Sequence, residues 1–466
     1  MLHEDRLLPS DPSQRAIARR LYAEIRNLPI VSPHGHTDPA WFAENQRFPN
    51  PAALFVIPDH YVFRMFYSQG VKMEDLGVPR ADGGTVETDP RKIWRRFAEN
   101  WHLLRGTPSR MWLDHAFAEV FGLAEAFGPK TADLFYDHID ACLAKPEFLP
   151  RALFERFNIE ALSTTESAID PLVHHTALKQ SGWTGRIVTT FRPDAVVDPE
   201  FEGFAANLDA LGAASGEDTG TWAGYLRALA ERRAFFKTMG ATATDHGHLN
   251  ATTADLPQDE AAKMFARARK GELSAAEADV FRGQMLTEMA RMSLDDGLVM
   301  QIHPGAFRNH NQPVFERFGR DKGCDIPIRT EYVAALKPLL NRFGNEPGLT
   351  IIVFTLDETT FSRELAPLAG HYPALRLGPP WWFLDSPEGM RRAREAAIET
   401  AGFYNTVGFN DDTRAFCSIP ARHDVARRID CGFLARLVAE HRLGEDEARE
   451  VAVDLTYTLV KKAYRL

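Results

Sequence analysis

Two histidines one residue apart, His34 and His36 in SPHGH, are the first side chains of this chain that could bind a metal. Positions i and i+2 of a strand face the same way, so both imidazoles could reach one cation. Near the other end, Asp411 and Asp412 stand in GFNDDTRAF. Adjacent strand residues face opposite sides, so only one carboxylate can join the histidines. One carboxylate there could ligate the metal and act as base, and Arg414 would share the side of Asp412 if the strand continued. His303, in QIHPGAFRNHN, could contact metal or substrate, and Arg308 could hold a carboxylate or hydroxyl or simply lie at the surface. In a second His-Gly-His at 246–248, Asp245 and His246 read better as partners that orient ligands than as ligands themselves. Asp59-His60-Tyr61, followed by Arg64, offers acid, base or hydroxyl-binding groups, with helix packing as the alternative. Trp381-Trp382 could form an apolar platform under a sugar ring or pack in the core.

These residues share one kind of place. Short apolar runs recur at 28–36, 159–167, 185–194, 240–248, 297–305, 349–358, 374–382 and 405–414, and His34, His36, Arg192, Asp245, His246, His303, Asp412 and Arg414 sit at or just past their C-terminal ends. Continuous apolar runs are the mark of parallel strands buried on both faces. Helical patterns lie between them, such as 261–294 and 331–344, and Ser10 or Asp11 with Pro12 starts a helix near the N-terminus. Eight strand–helix units predict a (β/α)₈ TIM-type barrel, whose strand C-termini open on one face and carry the active site. The whole chain, 1–466, is expected to be one such domain, with a helical insertion at 40–155 after the first strand walling the mouth.

A formal charge of −10 gives no basic footprint for nucleic acid. An anionic ligand must therefore be held by particular arginines. Cys142, Cys324, Cys417 and Cys431 form neither a CxxC pair nor a short framework, which suits reduced thiols in a cytoplasm. The N-terminal stretch carries charge where a secretion signal needs an apolar core, and no apolar run is long enough to span a membrane.

In order and spacing, HGHTDP, FAENQRF, PDHYVFRMFYSQGV, STTES, TFRPD, DHG, QIHPGAFRNHN, GPPWWF and DDTRAF…RHDVARR resemble the uronate isomerases, from about residue 5 to the C-terminus. The resemblance implies a barrel of the amidohydrolase superfamily. It also implies aldose–ketose isomerisation of D-glucuronate to D-fructuronate and of D-galacturonate to D-tagaturonate, in hexuronate catabolism. By resemblance, His34, His36 and Asp412 hold one divalent ion, zinc, with His303 as a further ligand or close neighbour. Tyr61 and His60 match the pair that contacts substrate, and Arg192, Arg308 and Arg414 the arginines beside it. The expected partner is a small sugar acid, with no nucleic acid or membrane, and the expected state a homo-oligomer. Two departures stand out: many relatives have an aromatic before the first histidine and Cys between the two, and Thr where this chain has an extra Asp.

The main rival is a metal-dependent hydrolase on the same barrel, in which metal-bound hydroxide attacks. A two-metal hydrolase of this type usually has a carboxylated lysine near the fourth strand and a histidine after the sixth. Here those runs end in Asp245-His246 and Leu356-Asp357-Glu358, which favours one metal. A carbohydrate-binding protein without activity would have lost the base or the ligands, and all are present.

Overall fold

The computed structural model describes residues 2–466. Its strands are β1 (Ile30–Ser32), β2 (Ile159–Ser167), β3 (Arg186–Arg192), β4 (Ala243–His246), β5 (Val299–Ile302), β6 (Ala306–Phe307), β7 (Ile326–Pro327), β8 (Ile351–Val353) and β9 (Leu375–Leu377). Seven form one sheet in the order β1-β2-β3-β4-β5-β8-β9, and every neighbouring pair is parallel. β6 and β7 make a separate antiparallel ribbon. Each sheet strand coincides with one of the apolar runs, but most are shorter. His34, His36 and His303 therefore sit on loops past the strand ends, while Asp245 and His246 remain on β4.

The expected eighth strand, 405–414, is not a regular strand. It touches β9 through a single parallel bridge, Leu377 to Thr406, and the loop after β1 through the His36 amide, which donates to the Thr413 carbonyl at 3.0 Å. Two left-handed residues break its extension, Gly408 at φ 78° and Asp412 at φ 38°. Glycine is required at 408, since a Cβ there would collide with the Val460 side chain and the Leu455 carbonyl.

Helices fill the connections. Asp11 caps Pro12–Ile25, accepting from the Gln14 amide. The long pattern at 261–294 is two helices, Gln258–Ala268 and Ala275–Asp296, parted at left-handed Gly271 and restarted by a Ser274–Glu277 capping box. The pattern at 331–344 is helical only over Lys337–Phe343. Between β1 and β2 a series of short helices runs from Pro39–Glu44 to Pro150–Arg156. They bury an aromatic cluster of their own, with Trp94, Phe97, Phe117, Phe127 and Phe135 packed ring on ring, seated on Ile159 and Leu162 of β2. No helix among the described residues is long and apolar enough to cross a membrane.

Candidate active site

A cavity of about 570 Å³ opens where the sheet strands end. Every residue singled out above as catalytic, substrate-binding or metal-ligating lines it: His34, His36, His60, Tyr61, Arg192, His303, Arg308, Trp381, Asp412 and Arg414.

At its floor, His36 Nε2 lies 3.1 Å and His34 Nε2 3.5 Å from Asp412 Oδ1. Asp411 turns the other way, to His423 Nε2 at 3.0 Å, so the two neighbouring carboxylates do serve opposite sides. Burial pushes the Asp412 carboxyl up, but the His34 and His36 rings outweigh it and hold the group well below the usual carboxylate range. It is therefore ionised. The His36 imidazole is pushed down by burial, against the pull of Asp412, which favours the neutral form a ligand needs.

His303 stacks on His34 with ring centroids 4.7 Å apart, and its Nδ1 lies 2.6 Å from Asp245 Oδ1. A carboxylate on one nitrogen fixes the imidazole and leaves the other nitrogen for a ligand. Asp245 does this for His303, as the sequence suggests. His246, the next residue of β4, faces away from the cavity and meets Thr244 Oγ1 at 3.1 Å.

The donor set fits a divalent cation. Donor atoms of His34, His36 and Asp412 lie within 4.8 Å of one another, as do those of His34, Asp245 and His303. His303 Nε2 is buried without a hydrogen-bond partner, a costly arrangement that a ligand would relieve.

The arginines converge above. Arg192 Nε pairs with Asp194 Oδ2 at 2.8 Å and its Nη1 approaches Asp245 Oδ2 at 3.3 Å. Arg308 pairs with Asp325 at 2.8 Å, and Arg414 with Asp321 at 2.9 Å. Gly247 permits the convergence, because a Cβ there would collide with Arg192 Nη2 and lie 3.3 Å from Arg308 Nη2.

From the insertion, Asp59 caps helix His60–Tyr67 by accepting from the Tyr61 amide at 2.9 Å, and this aims Tyr61 inward. The phenol donates to Asp385 Oδ2 at 3.1 Å. His60 stacks on Trp382 at 5.5 Å, and burial, helped by Arg414, pushes its imidazole down to about 3. Trp381 sets its ring edge-to-face with His303 at 4.8 Å.

Sequence reasoning missed Asp385, Arg422 and the arginine partners Asp194, Asp321 and Asp325. Only proximity marks Asp194, two residues after Arg192. Arg422 opens the RHDVARR motif, which carried no role above, and Asp385, Asp321 and Asp325 come from distant segments with no local signal.

The glucuronate isomerase family profile matches residues 3–464. The chain belongs to that family. It is 66% identical over 465 residues to the uronate isomerase of Rhizorhabdus wittichii, covering 100% of this chain and 98% of that protein. Its structure superposes on the crystal structure of glucuronate isomerase from Caulobacter crescentus with a TM-score of 0.98 at 59% identity, covering 100% of this chain and 97% of that one. The uronate isomerase of Thermotoga maritima gives a TM-score of 0.92 at 28% identity, covering 100% and 99%. Such relatives do not favour the hydrolase reading for this uronate isomerase family member.

Proposed function

We propose that this enzyme interconverts the aldose and ketose forms of D-glucuronate and D-galacturonate by proton transfer through a cis-enediol. The observation that supports it best is the convergence of an ionised carboxylate, Asp412, with three arginines and a buried phenol in one cavity. In this reading the sheet and the run 405–414 together make a closed (β/α)₈ barrel of the amidohydrolase type. The helices of 40–155 form its wall, and the whole chain is one domain.

His34, His36 and Asp412 would hold one divalent ion, with His303 at its side. Two imidazoles and a carboxylate are a donor set suited to zinc. When bound, the cation would supply a Lewis acid that orients and polarises substrate oxygens.

The chain's own groups carry the rest. Arginine forks pair with carboxylates in fixed geometry, so Arg192, Arg308 and Arg414 hold the sugar's carboxylate and hydroxyls. Asp412 takes the proton from C2 and returns it to C1. Tyr61 moves a proton from O2 to O1 over the enediol. Trp381 offers an apolar face to the open chain. Each acid–base group of this kind contributes about 10²–10⁴-fold, and fixing the substrate must supply much of the remainder.

The test is NMR of the protein with D-glucuronate in deuterated water. Ketose formation with deuterium at the exchanging carbon is expected, and Asp412→Asn should lower turnover by about 10²–10⁴-fold with the circular dichroism unchanged. Full activity in that variant would remove Asp412 as the base. No conversion of either uronate by metal-loaded protein would overturn the reading.

A further inference from the structure

Beside Tyr61 lies a buried polar group that the reaction above leaves unused. Asp385 follows the two tryptophans, and its turn is fixed by the Leu384 amide donating to the Trp381 carbonyl at 2.9 Å. Its Oδ2 accepts from the Tyr61 hydroxyl at 3.1 Å and from Arg422 Nη1 at 2.9 Å, and its Oδ1 is 3.3 Å from the same hydroxyl. Arg422, 3% exposed, is itself locked. Its Nη1 donates to the Asp411 carbonyl at 3.2 Å and its Nε to Ser418 Oγ at 3.2 Å, and its guanidinium lies 3.6 Å from the Trp112 ring centroid. A rigid cation thus fixes a carboxylate, which in turn fixes a phenol.

A phenol has one proton to donate and lone pairs to accept with. With that proton committed to Asp385, the lone pairs of Tyr61 are left to face the cavity it lines. We propose that Asp385, held by Arg422, is a positioning residue that sets the direction of the Tyr61 O–H bond for the O2-to-O1 proton transfer. This rests on the reading of Tyr61 as the proton shuttle. As Asp412 takes the proton from C2, the Tyr61 hydroxyl turns from Asp385 and gives its proton to O1, which forms the cis-enediol; as C1 is protonated, Tyr61 takes up the proton of O2 and its O–H returns to Asp385. Both side chains end as they began, and the substrate has moved one proton between its oxygens. Asp385 acts only through Tyr61, so removing it should matter only while the phenol is present.

The experiment is a double-mutant cycle between Asp385→Asn and Tyr61→Phe, with kcat and KM measured for D-glucuronate on metal-loaded protein. Asp385→Asn alone should lower kcat about 10–100-fold, as expected for an orienting partner, with KM held within about threefold. In the Tyr61→Phe background it should cause no further fall, whereas a merely structural role would cost the same factor in both backgrounds. Asp385→Asn leaves a buried guanidinium without its carboxylate. If that variant does not fold, Asp385→Glu enters the same cycle, keeping the charge but displacing it by one methylene. Its loss should be smaller and likewise absent without the phenol. Additive losses in either cycle, with Tyr61→Phe itself impaired, would overturn the role of Asp385 and leave the shuttle standing. Near-wild-type kcat in Tyr61→Phe would overturn the shuttle and this inference with it.

Discussion

Glu166, near the end of β2, is a carboxyl buried where no cation meets it. Its side chain is 10% exposed, Thr189 Oγ1 donates to its Oε2, and the nearest basic group is His175 Nε2 at 3.9 Å. That histidine is itself pushed down to about 4 by burial, so it brings no charge at neutral pH. Burial raises Glu166 to about 7; hydrogen bonds from Thr189 and Thr164 oppose the rise, and Asp170 and Asp38 add to it. In the open chain the same group titrates at 4.5. Between those values the unfolded chain gives up a proton that the fold retains. Stability from this residue is therefore complete below about 4.5, declines as pH rises, and is gone above about 7. At ~1.4 kcal/mol per pH unit the separation is worth about 3 kcal/mol, most of it lost between pH 5 and 8.

Glutamine is the isostere of the protonated acid: it keeps the carbonyl that accepts from Thr189 and cannot ionise. Glu166→Gln should therefore match the wild type near pH 5 and exceed it at pH 8. Spread over a chain of this length, the gain is about 2–3 °C in unfolding temperature. Scanning calorimetry of both proteins across that range is the assay, read as the difference between them at each pH. Glu166 is absent from the cavity lining, so kcat should not change. A difference that stays constant from pH 5 to 8 would refute the reasoning, since a packing effect has no proton linkage. A wild type that gains on the variant at pH 8 would show the carboxylate to be stabilised in the fold.

Two further outcomes are expected at the site. His36→Ala should lose the divalent ion, measured by elemental analysis, while its circular dichroism stays that of the wild type; retained metal would show the ligand set to be wrong. Gly247→Ala pushes a methyl into Arg192 Nη2 and should raise KM for the uronate about tenfold, with a smaller effect on kcat; an unchanged KM would show that the two arginines need not converge to bind.

Much of the cavity was legible because many of its residues obey one rule: they end or follow a buried strand, and parallel strands end together. His34, Arg192, Asp245 and His303 can be placed on that ground before any contact is known. The rule needs only the strands to exist, so it survived their being shorter than the apolar runs. It misjudged 405–414, where apolar content implied a strand but Gly408 and Asp412 take left-handed conformations. The first meets a crowded approach by the C-terminal segment; the second belongs to a residue aimed at two histidines. Nor could periodicity find Asp385, which meets Tyr61 across 324 residues, since a pattern reports which face a residue presents and not what waits there.

The pairing of the arginines bears on how an acidic protein takes an acidic substrate. Each arginine predicted to hold the sugar acid already has a carboxylate partner: Asp194 and Asp245 for Arg192, Asp325 for Arg308 and Asp321 for Arg414. Long-range attraction is correspondingly weak, because these charges cancel at short distance. What the carboxylates provide is rigidity. An arginine fork has five donors, and the partners seen here engage only part of each, leaving the rest aimed at the cavity in a fixed geometry. Ordering a long side chain on binding costs about 0.5–1.5 kcal/mol, and these pairings lower what remains to be ordered when the sugar arrives. The same logic holds below, where Asp245 fixes His303, and where Asp385 fixes Tyr61. The acidic residues are thus compatible with an anionic substrate because they hold the cations, the imidazole and the phenol in place rather than face the sugar alone. Asp412 is the exception, and it is the one carboxylate whose lone pairs the proposed chemistry requires.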